Sequence, residues 1–160
     1  MNFLRSKNRF WYIFGYGSLI NPESILTTAK FYNFHIAKLK GFARSWYKGS
    51  SGKTSVVGIE ASSDSVINGS LFKILKSDLI LFDNRERSYD RVRINEFLEL
   101  DIDLASSFDC FTYVIKKSEA PDSKAPLQLT YIDVIISGCL RIGVDFAREF
   151  IETTHSWDSF

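Results

Sequence analysis

Phe14-Gly15-Tyr16-Gly17-Ser18-Leu19-Ile20-Asn21-Pro22 is the stretch on which the reading of this chain turns. The apolar, aromatic run Phe10-Trp11-Tyr12-Ile13-Phe14 leads into it and predicts a strand over 11–15. Two glycines flanking Tyr16 end that strand. Asn21-Pro22-Glu23 then predicts a helix start: an N-cap, a proline at the first helical position and an acid in the first turn. A loop of this kind can turn backbone N–H groups toward one point, because glycine permits the dihedrals and leaves no side chain in the way. Such a loop suits a carboxylate or a developing oxyanion. The same residues also read as a tight turn between a core strand and a surface helix, and the local sequence leaves both open.

Composition narrows the rest. At 160 residues and 45% hydrophobic, the chain fits one domain over 1–160 with a packed core. Its 14 Phe, 7 Tyr and 3 Trp favour strands and a pocket with aromatic walls. Lys plus Arg number 20 against 19 Asp plus Glu, a net charge of +1 that gives no reason to expect nucleic acid or an anionic membrane as partner. The densest basic cluster, Arg85, Arg87, Arg91 and Arg93, is interrupted by Glu86 and Asp90. Cys110 and Cys139 form no CxxC pair and read as two buried, reduced thiols. With His35 and His155 far apart in sequence, there is no metal-site signature. No apolar run reaches the length of a membrane span. Residues 1–9 are basic and precede an apolar stretch, as in a signal peptide, but that stretch is short, aromatic, broken by glycine and lacks a small-residue cleavage site. The expectation is a cytoplasmic soluble protein.

Further along, a short helix is predicted over 21–29. Residues 31–46 read as one long strand or two, with Gly41 as a bulge. The polar turn 48–54 ends in Gly-Lys-Thr but lacks the first glycine of a P-loop at the required spacing and is flanked by strands, which excludes a nucleotide-binding reading. Strands are predicted over 56–61 and 66–75, separated by a turn at Ser62-Ser63-Asp64-Ser65, with Asn68-Gly69 as a bulge or bend. A short helix starts at Ser77. Tyr89, Arg91 and Arg93 then alternate along a strand, and 111–115 forms another. Helical spacing over 127–140 and 144–153 closes the chain, with residues from Thr154 loosely held. The order predicts an α+β fold, a mixed, barrel-like β core with helices around it.

Phe82-Asp83-Asn84-Arg85-Glu86-Arg87-Ser88-Tyr89-Asp90-Arg91-Val92 is the second unusual stretch. It puts Glu86 at the end of a short helix among arginines. A solvated helix end with ion pairs is the plain reading. A carboxylate at a helix–strand junction, available to a second site, is the other.

Taken together, the two stretches resemble the γ-glutamylcyclotransferase family. Its members open with a strand into Tyr-Gly-Ser, matched by Tyr16, Gly17 and Ser18. They carry a later Asp-x-x-Glu followed by tyrosine, matched by Asp83, Glu86 and Tyr89. Gly41, Phe42 and Arg44 match a glycine–aromatic–x–Arg segment, and Ile67-Asn68-Gly69-Ser70-Leu71-Phe72 stands in place of a Val-x-Gly-x-Leu-Phe strand. Tyr131 matches a tyrosine that opens the late helix. The resemblance covers about 11–151.

It implies a reaction without cofactor or metal. The α-amine of a γ-glutamyl amide attacks its own γ-carbonyl, releasing 5-oxoproline and an amine. Tethering of the nucleophile supplies much of the rate. By this resemblance Glu86 shuttles the proton from the attacking to the leaving amine. The Tyr16, Gly17, Ser18 and Leu19 loop holds the α-carboxylate or oxyanion, Tyr131 adds a hydroxyl, and Tyr89 supports Glu86 or the pocket wall. Burial would raise the Glu86 pKa, and Arg85, Arg87 or Arg91 would lower it. Many members have glycine after the glutamate; here Arg87 stands there, able either to bind a second carboxylate on the substrate or to trap Glu86. A Ser/His segment found after the arginine in the glutathione-specific branch is missing from 45–55, so glutathione is not assigned. The expected partner is a small γ-glutamyl substrate, with oligomeric state open. The competing reading is a non-catalytic module that binds a small carboxylated ligand. Both readings require the first turn and Glu86 to share a cavity of about 120 Å³ or more.

Overall fold

A computed structural model of the chain describes residues 9–100 and 108–160. The basic 1–9 stretch lies outside them except for Arg9. Seven strands among the described residues form one mixed sheet that curls into a half-barrel. They are β1 (Phe10–Gly15), β2 (Tyr32–Lys48), β3 (Ser55–Leu75), β4 (Tyr89–Arg93), β5 (Leu98–Glu99), β6 (Cys110–Ile115) and β7 (Thr154–His155). The order is β4-β6-β1-β3-β2-β5, with β7 also on β2. β1 pairs parallel with β6 and β2 parallel with β7; the other pairings are antiparallel. The helices are α1 (Pro22–Leu26), α2 (Leu79–Arg85), α3 (Leu129–Ile142) and α4 (Val144–Glu152).

β1 lies inside the sheet, between β3 and β6. Both of its faces are covered, which is why its sequence is an unbroken apolar run rather than an alternating one. Tyr12 and Phe14 enter one core with Leu39, Trp46, Ile135 and Phe150, under α3 and α4. Ile13 enters the other with Leu19, Ile25, Phe72 and Phe82, under α1 and α2. Each large apolar side chain buried here contributes roughly 1.5–3 kcal/mol.

β2 and β3 form one long hairpin, registered from Tyr32 opposite Lys73 to Lys48 opposite Ser55. Gly41, at φ +81°, marks the expected bulge between Lys40 and Phe42. The turn expected at Ser62 to Ser65 does not split β3. The strand runs through it, and those four residues form an excursion with no partner on β2, Ala61 facing Phe42 and Val66 facing Lys40. Asn68-Gly69 is neither bulge nor bend: the two pair regularly with Lys38 and Ala37. Gly69 is there because a Cβ would collide with the Gly15 carbonyl and the Phe14 ring on β1.

Arg44 of β2 is fully buried. Its guanidinium donates to six acceptors: the Tyr16 and Phe150 carbonyls (3.1 and 3.4 Å), the Asn68 carbonyl and Oδ1 (2.8 and 2.7 Å), and the Thr153 and Thr154 hydroxyls (both 2.8 Å). It stacks on Phe150 at 4.0 Å. Burial pulls its pKa down to about 9, which leaves it a cation at neutral pH. The residues from Thr154 are therefore not loose. Thr154 is buried, pairs with Arg44 in the sheet and accepts from its side chain. The two thiols, Cys110 and Cys139, are free and buried, as expected. No helix of the described residues is long and apolar enough to cross a membrane.

Candidate active site

The chain leaves β1 at Gly15 and folds back at once in a 3-10 turn, Ser18–Ile20. Ile20 N–H donates to the Gly17 carbonyl (3.0 Å) and Asn21 N–H to that of Ser18 (3.1 Å). Among the described residues no acceptor pairs with the N–H groups of Gly17, Ser18 or Leu19. Gly17, at φ −138° and ψ −120°, packs so closely that a Cβ would run into Val57 Cγ1. Asn21 caps α1 as its sequence predicts, its Oδ1 accepting from Glu23 N–H at 3.0 Å, with Pro22 at the first helical position. Its Nδ2 donates to the Val134 carbonyl (2.9 Å) and ties the turn to α3. Three further bonds hold the turn. Arg44 donates to the Tyr16 carbonyl, Ser70 Oγ to the Leu19 carbonyl (2.8 Å), and the Tyr16 hydroxyl to the Tyr113 carbonyl (2.6 Å).

Glu86 caps the C-terminus of α2. Its N–H donates to the Phe82 carbonyl and its own carbonyl accepts from Tyr89 N–H, both at 2.9 Å, so the residue is pinned between α2 and β4. Its side chain is only 16% exposed and meets Arg85 Nε at 3.5 Å. Burial raises the Glu86 pKa above the ordinary 4.5, and the Arg85 cation offsets this only in part.

Arg85 entered the sequence reading only as an electrostatic neighbour. Its terminal nitrogens donate to the Ser24 carbonyl and hydroxyl (both 2.7 Å), to Thr28 Oγ1 (2.9 Å) and to Ser18 Oγ (3.0 Å). It thus clamps α1 and the first turn to the helix that carries Glu86. One of several arginines in a charged run carries no local signal for such a role, because its acceptors are 57 to 67 residues away in sequence.

Tyr16, Gly17, Ser18, Leu19, Glu86, Tyr89 and Tyr131 line one cleft, with Phe14, Val57 and Tyr113 as its apolar and aromatic walls. Its volume is about 30 Å³, well below the cavity expected from sequence. Four phenols stand in its lining, those of Tyr16, Tyr89, Tyr113 and Tyr131. Tyr89 donates to the Val57 carbonyl at 2.9 Å, and the Tyr131 hydroxyl lies 3.9 Å from where a Gly17 Cβ would sit. Burial pushes the Tyr16, Tyr89 and Tyr131 pKa values up, helped by neighbouring phenols and Glu86 at Tyr16 and Tyr89 and by Glu86 at Tyr131, so all three are neutral at physiological pH.

Arg87 and Arg91 do not reach the cleft. Arg91 pairs with Asp83 at 2.8 Å and lies over the Phe111 ring at 5.2 Å. Arg87 is exposed, and its carbonyl accepts from Lys116 Nζ at 3.2 Å. The acid of the motif, Asp83, also accepts from the Tyr113 hydroxyl at 2.9 Å and so props the cleft wall from outside. Among the described residues no three His, Cys, Asp or Glu side chains converge as a metal cluster. The residues around the cleft bring one partly desolvated carboxyl, a turn whose Gly17, Ser18 and Leu19 N–H groups have no acceptor among the described residues, and neutral phenols, a set suited to proton transfer and anion stabilisation.

The model of the family described as gamma-glutamyl cyclotransferase, AIG2-like, matches residues 13–131. No curated protein matches the sequence. Among solved structures, the chain is similar to an uncharacterized protein from Homo sapiens at 19% identity and TM-score 0.68, covering 93% of this chain and 90% of that one. It is similar to YkqA from Bacillus subtilis at 20% identity and TM-score 0.67, covering 93% of this chain but 55% of YkqA. It is also similar to a protein named gamma-glutamyl cyclotransferase at 20% identity and TM-score 0.64, covering 92% and 90% of the two chains. At such identities the structural likeness speaks for the fold. The family match runs from β1 through Glu86 to Tyr131, and by it this chain belongs to the AIG2-like γ-glutamyl cyclotransferase family.

Proposed function

We propose that the protein cleaves a γ-glutamyl amide by cyclisation. The α-amine nitrogen of the substrate attacks the γ-carbonyl carbon, and a new C–N bond closes the five-membered ring. The old C–N bond breaks, and the proton lost by the attacking nitrogen ends on the leaving one. The products are 5-oxoproline and a free amine, with no water consumed. The observation that supports this reading is the shared cleft: Glu86 and the first-turn residues Gly17, Ser18 and Leu19 line the same space.

In this reading Glu86 takes the proton from the α-ammonium and returns it to the leaving amine. A raised pKa suits a group that must both accept and donate near neutrality. The turn amides receive the oxyanion that develops on the γ-carbonyl oxygen, where fixed donors need no reorganisation. Tyr131 orients the substrate. Tyr89, held in the cleft by a single side-chain hydrogen bond, is the wall that swings to admit the γ-glutamyl group. The test is 5-oxoproline release from a panel of γ-glutamyl amides, with activity lost in a folded Glu86→Gln variant. A panel without any turnover would reject the reading.

The Arg85–Glu86 pair favours a second reading. A carboxylate held by that cation would be chemically silent, and the cleft would bind a small carboxylated ligand without turnover. Ligand-induced thermal stabilisation that survives Glu86→Gln, with no 5-oxoproline formed, would select it.

A further inference from the structure

We infer that a second groove beside the cleft receives the leaving amine and recognises a carboxylate on it, through Lys116 and Lys117. The inference rests on the cyclisation reading above. The groove has a volume of about 440 Å³ and adjoins the cleft across Tyr89, which lines both. The contrast in size decides which part of a substrate each can take. The cleft, at about 30 Å³, would take the compact γ-glutamyl end only after the Tyr89 movement of the cyclisation reading, whereas the groove already has room for an amino acid or a dipeptide.

Strand register explains why the two adjoin. Tyr89 of β4 lies directly opposite Ile115 of β6, so the chain that continues past Ile115 runs beside Ser88 and Arg87 toward Glu86. Lys116 Nζ, bonded to the Arg87 carbonyl, confirms the path. Val56 and Ile115 give the groove an apolar lining, which the 49–52 turn of the β2–β3 hairpin shares.

The rim is cationic. Lys48, Lys116 and Lys117 line the groove against one acid, Glu119. Lys48 is committed, pairing with Asp122 at 2.8 Å and Glu119 at 3.4 Å. Lys116 bonds the Arg87 carbonyl but meets an acid only at a long 3.9 Å, from Asp90, and Lys117 pairs with no acid among the described residues. An apolar lining with two ammonium groups that no close acid neutralises fits an α-amino acid leaving group with an apolar side chain, its carboxylate toward Lys116 and Lys117. A simple amine of the same shape would leave that charge unanswered.

The experiment compares γ-glutamyl-leucine with γ-glutamyl-isoamylamide, whose leaving group is leucine without its carboxylate. Both are measured by 5-oxoproline release in the wild type and in K116A/K117A, a doublet outside the cleft and core. The expected result is a wild-type kcat/KM roughly five- to tenfold higher for the leucine substrate, an advantage that shrinks in high salt as exposed charges are screened. In K116A/K117A the ratio falls to about one, through the leucine substrate alone. Equal turnover of the two amides, or a ratio unchanged in the doublet, overturns the groove assignment and leaves the cyclisation standing. No 5-oxoproline from either amide, with turnover elsewhere in the γ-glutamyl panel, overturns the groove assignment alone; no turnover anywhere in the panel overturns both.

Discussion

Arg85 turns its Nε toward the Glu86 carboxylate at 3.5 Å while its terminal nitrogens grip Ser18, Ser24 and Thr28. One guanidinium thereby joins the acid to the amide-bearing turn, and its cation limits how far burial can raise the acid's pKa. Replacing Arg85 by Met removes both effects. The acid limb of the pH–rate profile for 5-oxoproline release moves to higher pH, because desolvation of Glu86 is no longer opposed. KM rises as the turn loosens. A profile that stays in place would mean that Arg85 does not act on the proton-transfer group.

Glu86→Gln should lower kcat by roughly 10²- to 10⁴-fold, the usual scale for a lost general acid–base, with KM little changed. Mixing experiments on a γ-glutamyl amide, read by 5-oxoproline, measure it.

The same variant has a signature in stability. Glu86 has a raised pKa in the folded protein, so below the ordinary 4.5 both states carry the proton and the variant and wild type differ little in their response to pH. As pH rises through and above that value, the unfolded chain ionises first and the wild type loses stability. Glu86→Gln does not follow. Urea titrations at pH 4 and pH 8 should show the variant gaining on the wild type at the higher pH; a gap that narrows instead would contradict the desolvated carboxyl.

Gly17→Ala should damage both fold and cleft, because the added methyl meets Val57 Cγ1. Overpacking of this kind costs about 1–3 kcal/mol. Val57→Ala in the same chain removes that branch and should return most of the lost stability. Thermal melts of the two single variants and the double variant form the cycle that tests it.

Arg44→Met strands acceptors on β3, α4, β7 and the first turn at once. Each buried acceptor left unpaired costs about 1–3 kcal/mol, so the loss should exceed about 3 kcal/mol in urea unfolding. Arg44→Lys should recover only part of it, since an ammonium cannot reach the spread of acceptors that the planar fork spans.

Cys110 and Cys139 should stay silent toward thiol reagents at pH 8. Burial pushes both pKa values up to about 11, and neither sulfur is open to attack. Titration with a chromogenic disulfide should count about zero thiols in the native protein and two after denaturation.

Local sequence carried the elements that local physics decides. The apolar run of β1, the Asn21-Pro22-Glu23 start of α1, the bulge at Gly41 and the helical periods of α3 and α4 are all set by neighbours within a few residues. The motif residues Tyr16 to Leu19, Glu86, Tyr89 and Tyr131 were legible as a set only through resemblance, since nothing in their spacing says that they share a cleft. Tertiary structure decided what depends on partners far along the chain. It drew Arg85 to Ser18 and left Arg87 and Arg91 outside, because helix phase and strand face, not proximity in sequence, aim a guanidinium. It carried β3 past the unpaired Ser62 to Ser65, because β2 pairs with Ala61 before them and Val66 after them, and it tied Thr154 into the sheet beside Arg44, pairings that no single segment could foresee. Residue types set the chemistry on offer; the curl of the sheet and the buried Arg44 hub determined which of those residues face one another.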